Sequence, residues 1–238
     1  MMKRASVIGV LVALMIGAGT CVSFATMSFR VYGGYSMLDP SAYNNYLQGQ
    51  VDGHVASYGG SGTVDKLSSA IPLGVDFRYG TNPGLVFSLG FTRFGGKAGY
   101  EWESMWGIYS LEREDTISVV GGLGSVLYAL GDSNYSVYFG GGAGYYRANL
   151  KKTLPSDVWD LEYAYTLEKN QLGFHVQGGY QYFLSQNMAL GVEILYRMLT
   201  VSDMTFKSHD NPWWEGKTWD QKLNLSGINI LVGLNIYT

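Results

Sequence analysis

Over stretch after stretch this chain alternates apolar and polar side chains with a period of two, and that period limits it to strands. Successive strand residues point to opposite faces of a sheet, so each such stretch has one apolar and one polar face. From Ile71 to Tyr79 every odd position is apolar or aromatic and every even one is Pro, Gly or charged. Leu85, Phe87, Leu89 and Phe91 alternate with Val86, Ser88, Gly90 and Thr92. Near the end, Ile228, Ile230, Val232, Leu234 and Ile236 alternate with Gly227, Asn229, Leu231, Gly233 and Asn235. Eight strands are predicted: Met27 to Leu38, Ile71 to Tyr79, Leu85 to Phe94, Leu111 to Leu130, Tyr135 to Leu150, Gln171 to Phe183, Met188 to Leu199 and Leu223 to Tyr237. All reach the length of a membrane-spanning strand. The Gly-rich centres of the fourth and fifth leave their facing open, because one bulge there would flip the parity.

The gaps carry the topology. Gaps 39–70, 95–110, 151–170 and 200–222 are long; those at Gly80 to Gly84, Gly131 to Asn134 and Leu184 to Asn187 are short. Long and short connections alternating around an even number of antiparallel strands fit an outer-membrane barrel, with short periplasmic turns and long loops outside. A lipocalin-like soluble barrel would also alternate, but its outer face would be charged. Here only 15% of residues are charged against 47% hydrophobic, and the charges gather in the long gaps. A helical span is excluded, since the longest charge-free run after the N-terminal segment, Asn170 to Val192, holds four Gln, two Asn and a His.

Residues 1–25 read as a secretory signal peptide. Met1-Met2-Lys3-Arg4 is a basic start, Ala5 to Gly19 is apolar and uncharged, and Ser23-Phe24-Ala25 places small residues at a cleavage spacing. An uncleaved anchor and a lipidated Cys21 are the alternatives; Thr20 is a poor residue before a lipidated Cys. Cleavage after Ala25 leaves one barrel domain, residues 26–238. It also removes Cys21, Lys3 and Arg4, which takes the formal charge from -3 to -5. Such a chain has no disulfide framework and no electrostatic reason to bind nucleic acid.

The leader, the eight alternating strands, the glycine-rich strand centres Val119 to Gly124 and Tyr138 to Tyr145, and the amphipathic last strand together resemble the small outer-membrane β-barrel proteins. The pattern is similar to that of the superfamily holding the OmpX-like and OmpW-like barrels. The resemblance covers residues 26–238 and carries no residue-specific motif. It implies an all-β, eight-stranded antiparallel transmembrane barrel in the cell outer membrane, with four long extracellular loops. The partners expected are outer-membrane lipid and lipopolysaccharide, and, during biogenesis, periplasmic chaperones and the outer-membrane assembly machinery. Such chains usually end in Phe, whereas this one ends Ile236-Tyr237-Thr238.

Little in the sequence suggests catalysis, and no cofactor or metal is expected. Gly140 to Gly144 continues a strand instead of opening a helix, so it is not a phosphate loop. His54, His175 and His209 share no metal-ligand spacing, and Asp203, Asp210, Glu215 and Asp220 read as solvated loop acids. A hydrolase of this fold would need His175 with a Ser and a carboxylate gathered near the outer rim.

The polar face holds the candidate site residues. Arg30, Asp76, Arg78, His175, Glu193 and Arg197 all fall on the phase expected to face the lumen. Charges inside a narrow barrel must be paired or meet water, so a paired plug or a narrow hydrated path are the two readings. If Met27 and Tyr79 share a rim, Arg30 stands opposite Asp76. All six Trp lie in the long gaps, which suits anchoring at the membrane boundary; Trp213, Trp214 and Trp219 could instead form an aromatic surface for a partner. The function expected is non-enzymatic, a structural or surface-interaction barrel, with a narrow pore or transporter as the alternative.

Overall fold

In the computed structural model, which describes residues 26–238 apart from 82–83, 108, 132–133, 155–162 and 208–215, eight antiparallel strands close into a ring. They are β1 (Thr26–Leu38), β2 (Leu73–Gly80), β3 (Leu85–Glu103), β4 (Ser110–Gly131), β5 (Tyr135–Leu154), β6 (Tyr163–Ser185), β7 (Met188–Met198) and β8 (Gly227–Tyr237). Each pairs with its sequence neighbours, and β8 returns to β1, with Arg30 opposite Asn235 on one side and opposite Asp76 on the other. Closure removes the unpaired strand edges that lipid could not hydrogen-bond.

The period-two pattern becomes an inside and an outside. Along β7 burial alternates residue by residue, with Glu193, Leu195 and Arg197 inward and Val192, Ile194 and Tyr196 outward. The outward row is apolar on all eight strands: Phe29, Val75, Phe87, Val126, Phe139, Val176, Val192 and Val232 are all exposed. Exposed aromatics flank it, with Tyr128, Tyr135 and Tyr182 toward the short turns and Tyr35, Phe91, Tyr145 and Phe174 toward the long connections. This is a membrane-type barrel, apolar outside and filled inside. The glycine-rich centres of β4 and β5 keep one unbroken register, Gly121 opposite Tyr146 and Ser125 opposite Gly142, so no bulge flips their facing. Among the described residues, the one register shift between barrel strands falls at the β6–β7 turn, between Phe183 and Ser185.

Strands β3 to β6 run well past the apolar band, which the sequence pattern alone did not delimit. Much of gaps 95–110 and 151–170 is therefore strand, because period two continues there with charged outward residues in place of apolar ones: Lys97, Glu101, Glu112, Glu114 and Lys151 are exposed. Two short strands widen this wall. Ser61–Asp65 pairs with the end of β3, and Met204–Lys207 pairs with the start of β6. The first long connection holds a helix, α1 (Ser41–Tyr58). Pro40 stands before it, and Gly59, at φ 69, ends it in a left-handed conformation suited to glycine. Tyr43, Leu47 and Val51 point from α1 into the mouth formed by the extended strands and lie at the centre of the main apolar cluster.

Candidate functional site: the filled lumen

Toward the short turns, the interior is a charge cluster built by strands alone. Alternation aims Arg30 of β1, Asp76 and Arg78 of β2, Tyr138 of β5 and Glu193 of β7 inward, and all five are under a tenth exposed. Arg30 donates from Nε to Asp76 at 2.8 Å and from Nη1 to Glu193 at 2.8 Å. Arg78 repeats the arrangement, from Nε to Asp76 at 3.0 Å and from Nη2 to Glu193 at 3.0 Å. Tyr138 adds a hydroxyl to Glu193 at 2.8 Å. Two guanidinium groups thus meet two carboxylates, and the net charge is zero. Each guanidinium also lies on a ring, Arg30 over Tyr32 at 4.5 Å and Arg78 over Tyr138 at 4.7 Å. Gly179 leaves room for this: a Cβ there would come within 2.5 Å of the Tyr138 hydroxyl. Below the cluster a cavity of about 400 Å³ opens between the short turns, with Arg78, Tyr138 and Gln181 among its walls.

Mid-barrel, His175 places Nε2 at 2.8 Å from Ser125 Oγ. Both residues are buried, and Nδ1 has no hydrogen-bond partner among the described residues. Among the described residues no carboxylate hydrogen-bonds the ring, and the pair lies inside the wall instead of at a rim. Arg197 is inward like the other arginines yet stands apart from their cluster. Its Nε donates to the Leu225 carbonyl at 3.1 Å, and its guanidinium covers the Phe94 ring at 3.6 Å.

Toward the long connections the lumen changes character. Tyr43 of α1 donates its hydroxyl to Asp115, which Arg113 grips with two further hydrogen bonds at 3.0 and 2.8 Å. Lys152 of β5 is 1% exposed, and its ammonium sits among four rings: Trp219 at 4.0 Å, Tyr46 at 5.0 Å, Tyr165 at 5.9 Å and Tyr43 at 6.0 Å. This end lies beyond the apolar band, whose last outward residue on β5 is Tyr145. Burial first, then the positive charge of Arg113, lowers the Lys152 ammonium to about 7. Burial also pushes the Tyr165 hydroxyl up to about 12. Reciprocal hydrogen bonds between Asn44 and Leu67, at 2.9 and 3.1 Å, tie α1 to the segment that follows it. The indole of Trp102 donates to the Gly59 carbonyl at 3.1 Å and fixes the far end.

The tryptophans depart from the boundary-anchor expectation. Trp102, on the inward phase of the extended β3, faces α1, and Trp219, on a two-residue strand paired with Met204–Lys207, packs edge-on against Tyr43 and Tyr46. Trp106 is exposed, whereas Trp159, Trp213, Trp214, His209, Asp210 and Glu215, like the proposed signal peptide, lie outside the described residues. Trp219 is thus part of the mouth filling and not a free aromatic surface. The upper group of Tyr43, Arg113, Asp115 and Lys152 was missed by sequence reasoning. Parity along β4 and β5 was the available signal, but the unsettled facing of the glycine-rich centres and the early end assigned to β5 hid it.

The fold defines the class: an eight-stranded antiparallel transmembrane β-barrel with a filled interior. No protein-family model and no curated protein matches the sequence. Among solved structures, the chain is similar to the outer membrane protein OprG from Pseudomonas aeruginosa. The TM-score is 0.52 at 12% identity, over 89% of this chain and 95% of that one. Neisserial surface protein A matches at TM-score 0.47 and 12% identity, over 90% and 99% of the two chains. A major outer membrane protein from Thermus thermophilus matches at 0.47 and 15%, also over 90% and 99%. At these identities the likeness is one of fold.

Proposed function

We propose that the protein is a non-enzymatic barrel of the cell outer membrane, exported through a cleaved leader, whose closed interior is a scaffold for the structures beyond the band. The observation that carries this reading is the four-charge cluster with Tyr138, in which buried side chains from β1, β2, β5 and β7 meet inside the barrel as paired groups. Above it α1 fills the mouth with apolar side chains, a second obstruction of a different kind. A hydrated path would need these charges facing water, and here they face one another. In this reading the short turns face the periplasm, the assembly machinery and periplasmic chaperones deliver the chain, and the loops beside α1 meet any extracellular partner.

The test is planar-bilayer conductance of the refolded protein beside its migration on a detergent gel before and after boiling. A heat-modifiable band with no discrete conductance steps is the expected result. Conductance steps that change when Arg30 or Glu193 is replaced would establish the transporter reading instead. The lipid-facing assignment has its own test: Val192→Arg should impair stable insertion by about 2 to 4 kcal/mol, as charge at mid-depth does, whereas Gln177→Arg, a lumen position, should be milder. Equal losses would contradict the facing.

A further inference from the structure

The outer wall is not uniform around the ring where the apolar band ends. On β1, β2, β7 and β8 the outward residues toward the long-connection end are Met37, Leu73, Met198 and Ile228. On β3 and β5 the outward row passes directly from aromatic to basic: Phe91 is followed by Arg93 and Lys97, and Tyr145 by Arg147 and Lys151, all exposed. Register aligns them in two tiers, Arg93 with Arg147 across Val120 and Lys97 with Lys151 across Thr116. Two strand spacings separate the members of each tier, about 10 Å. Lys97 pairs with Glu114 and Arg147 with Glu168 at the surface, contacts of small energy that a competing anion can replace. Arg93 and Lys151 have no carboxylate partner among the described residues.

A groove of about 330 Å³ runs through this patch. One wall is apolar, Ile71 and Leu73; the other side carries Arg93, Lys97 and the hydroxyls of Thr116 and Ser118. Higher on the same wall the outward residues turn acidic, with Glu101, Glu103 and Glu112 exposed. Cations confined to the edge of the apolar band, with acids above them, disfavour a long soluble polyanion lying up the wall. They suit a ligand whose phosphates are held at membrane height and whose remainder is hydrocarbon below and sugar beside.

We propose that this face docks the phosphorylated sugar headgroup of an outer-leaflet glycolipid of the lipid A type. Its phosphates meet Arg93, Lys97 and Lys151, its sugar hydroxyls meet Thr116 and Ser118, and its first acyl carbons lie on Ile71 and Leu73. This deepens the outer-membrane reading and rests on it, with the long-connection end outward.

The test is native mass spectrometry of the refolded barrel with bis-phosphorylated lipid A, with chemically dephosphorylated lipid A, and with soluble polyphosphate. The expected result is retention of phosphorylated lipid A over the dephosphorylated form. Arg93→Gln combined with Lys97→Gln and Lys151→Gln should lower that preference roughly 100-fold, the product of three cation contacts at an anionic surface. Lys207→Gln with Lys222→Gln, cations elsewhere beyond the band, should leave it unchanged. Equal retention of the two lipids, an unaffected triple variant, or polyphosphate bound as well as lipid A would each overturn the proposal. Should the triple variant fail to fold, Arg93→Gln alone must still weaken retention. Heat-modifiable migration is followed in every arm: its loss in the unaltered protein would defeat the barrel reading itself, while its persistence with equal lipid binding would defeat only the docking face.

Discussion

The two ends of the lumen fill the same tube by opposite means. Toward the short turns, two arginines and two carboxylates from β1, β2 and β7 satisfy one another, with no element inserted from outside the ring. Toward the long connections a helix drops into the mouth, and apolar and aromatic side chains do the filling. There Lys152 has ring faces around it and makes no salt bridge among the described residues. Asp115, opposite it on β4, is engaged by Arg113 and Tyr43 and only partly offsets the burial of the ammonium. An ionic plug made by strands depends on every member, because removing one leaves an uncompensated buried charge. A helical plug depends on area and can lose single contacts. The first should therefore be tied to the stability of the whole barrel, the second to the stability of α1.

The largest expected effect tests the ionic end. Glu193 accepts from Arg30, Arg78 and Tyr138, so Glu193→Ala leaves two guanidinium groups sharing Asp76 and should cost about 3 to 5 kcal/mol in urea unfolding of the refolded barrel. Asp76→Ala should cost on the order of 3 kcal/mol, and adding Arg30→Ala should recover much of it, because Arg78 and Glu193 then remain as a neutral pair. Additive losses in that double-mutant cycle would mean the groups are hydrated and independent, and the contrast between the two ends would collapse.

The next effect belongs to Lys152 and is read through pH. Its ammonium is lowered to about 7 by burial, so between about pH 7 and 10.5 the unfolded chain holds a proton that the folded one has released. The unfolded state then binds more protons, and stability rises with pH across that window, by up to about 1.4 kcal/mol per unit. Lys152→Met should remove the rise and stabilise the protein at neutral pH. Urea midpoints at pH 7, 8 and 9 for both proteins measure the difference. Parallel profiles would show that the four rings stabilise the cation well enough to cancel its burial.

The two ends were also unequally legible. Arg30, Asp76 and Glu193 could be placed inside because the period of two is a local rule, and one assumed rim set Arg30 opposite Asp76. What parity could not supply is Tyr138 and the room made for it at Gly179, since both depend on which strands meet across the lumen. At the other end the rule still ran along β4 and β5 through Arg113, Asp115 and Lys152, but glycine-rich centres hid its phase. The partners themselves, Tyr43, Tyr46 and Trp219, arrive from a helix and a distant connection whose docking no local pattern encodes. The same reason turned Trp219 from an expected surface residue into part of the filling.

The smallest effect separates the two ends most cleanly. Tyr43→Phe keeps the ring that packs in the mouth and removes only the hydroxyl donated to Asp115. Asp115 still accepts two hydrogen bonds from Arg113, so the carboxylate is not stranded and the cost should be about 1 kcal/mol. Because that contact joins α1 to the wall without joining strand to strand, the loss should appear locally. Amide hydrogen exchange in Ser41–Tyr58 should accelerate several-fold, by the roughly fivefold that about 1 kcal/mol implies, while the amides of β1, β7 and β8 keep their protection. Glu193→Ala should do the reverse and raise exchange throughout the barrel strands. Faster exchange across the barrel in Tyr43→Phe, or none in α1, would mean that helix and ring unfold as one unit and that the distinction between a strand-built and a helix-built plug has no energetic content.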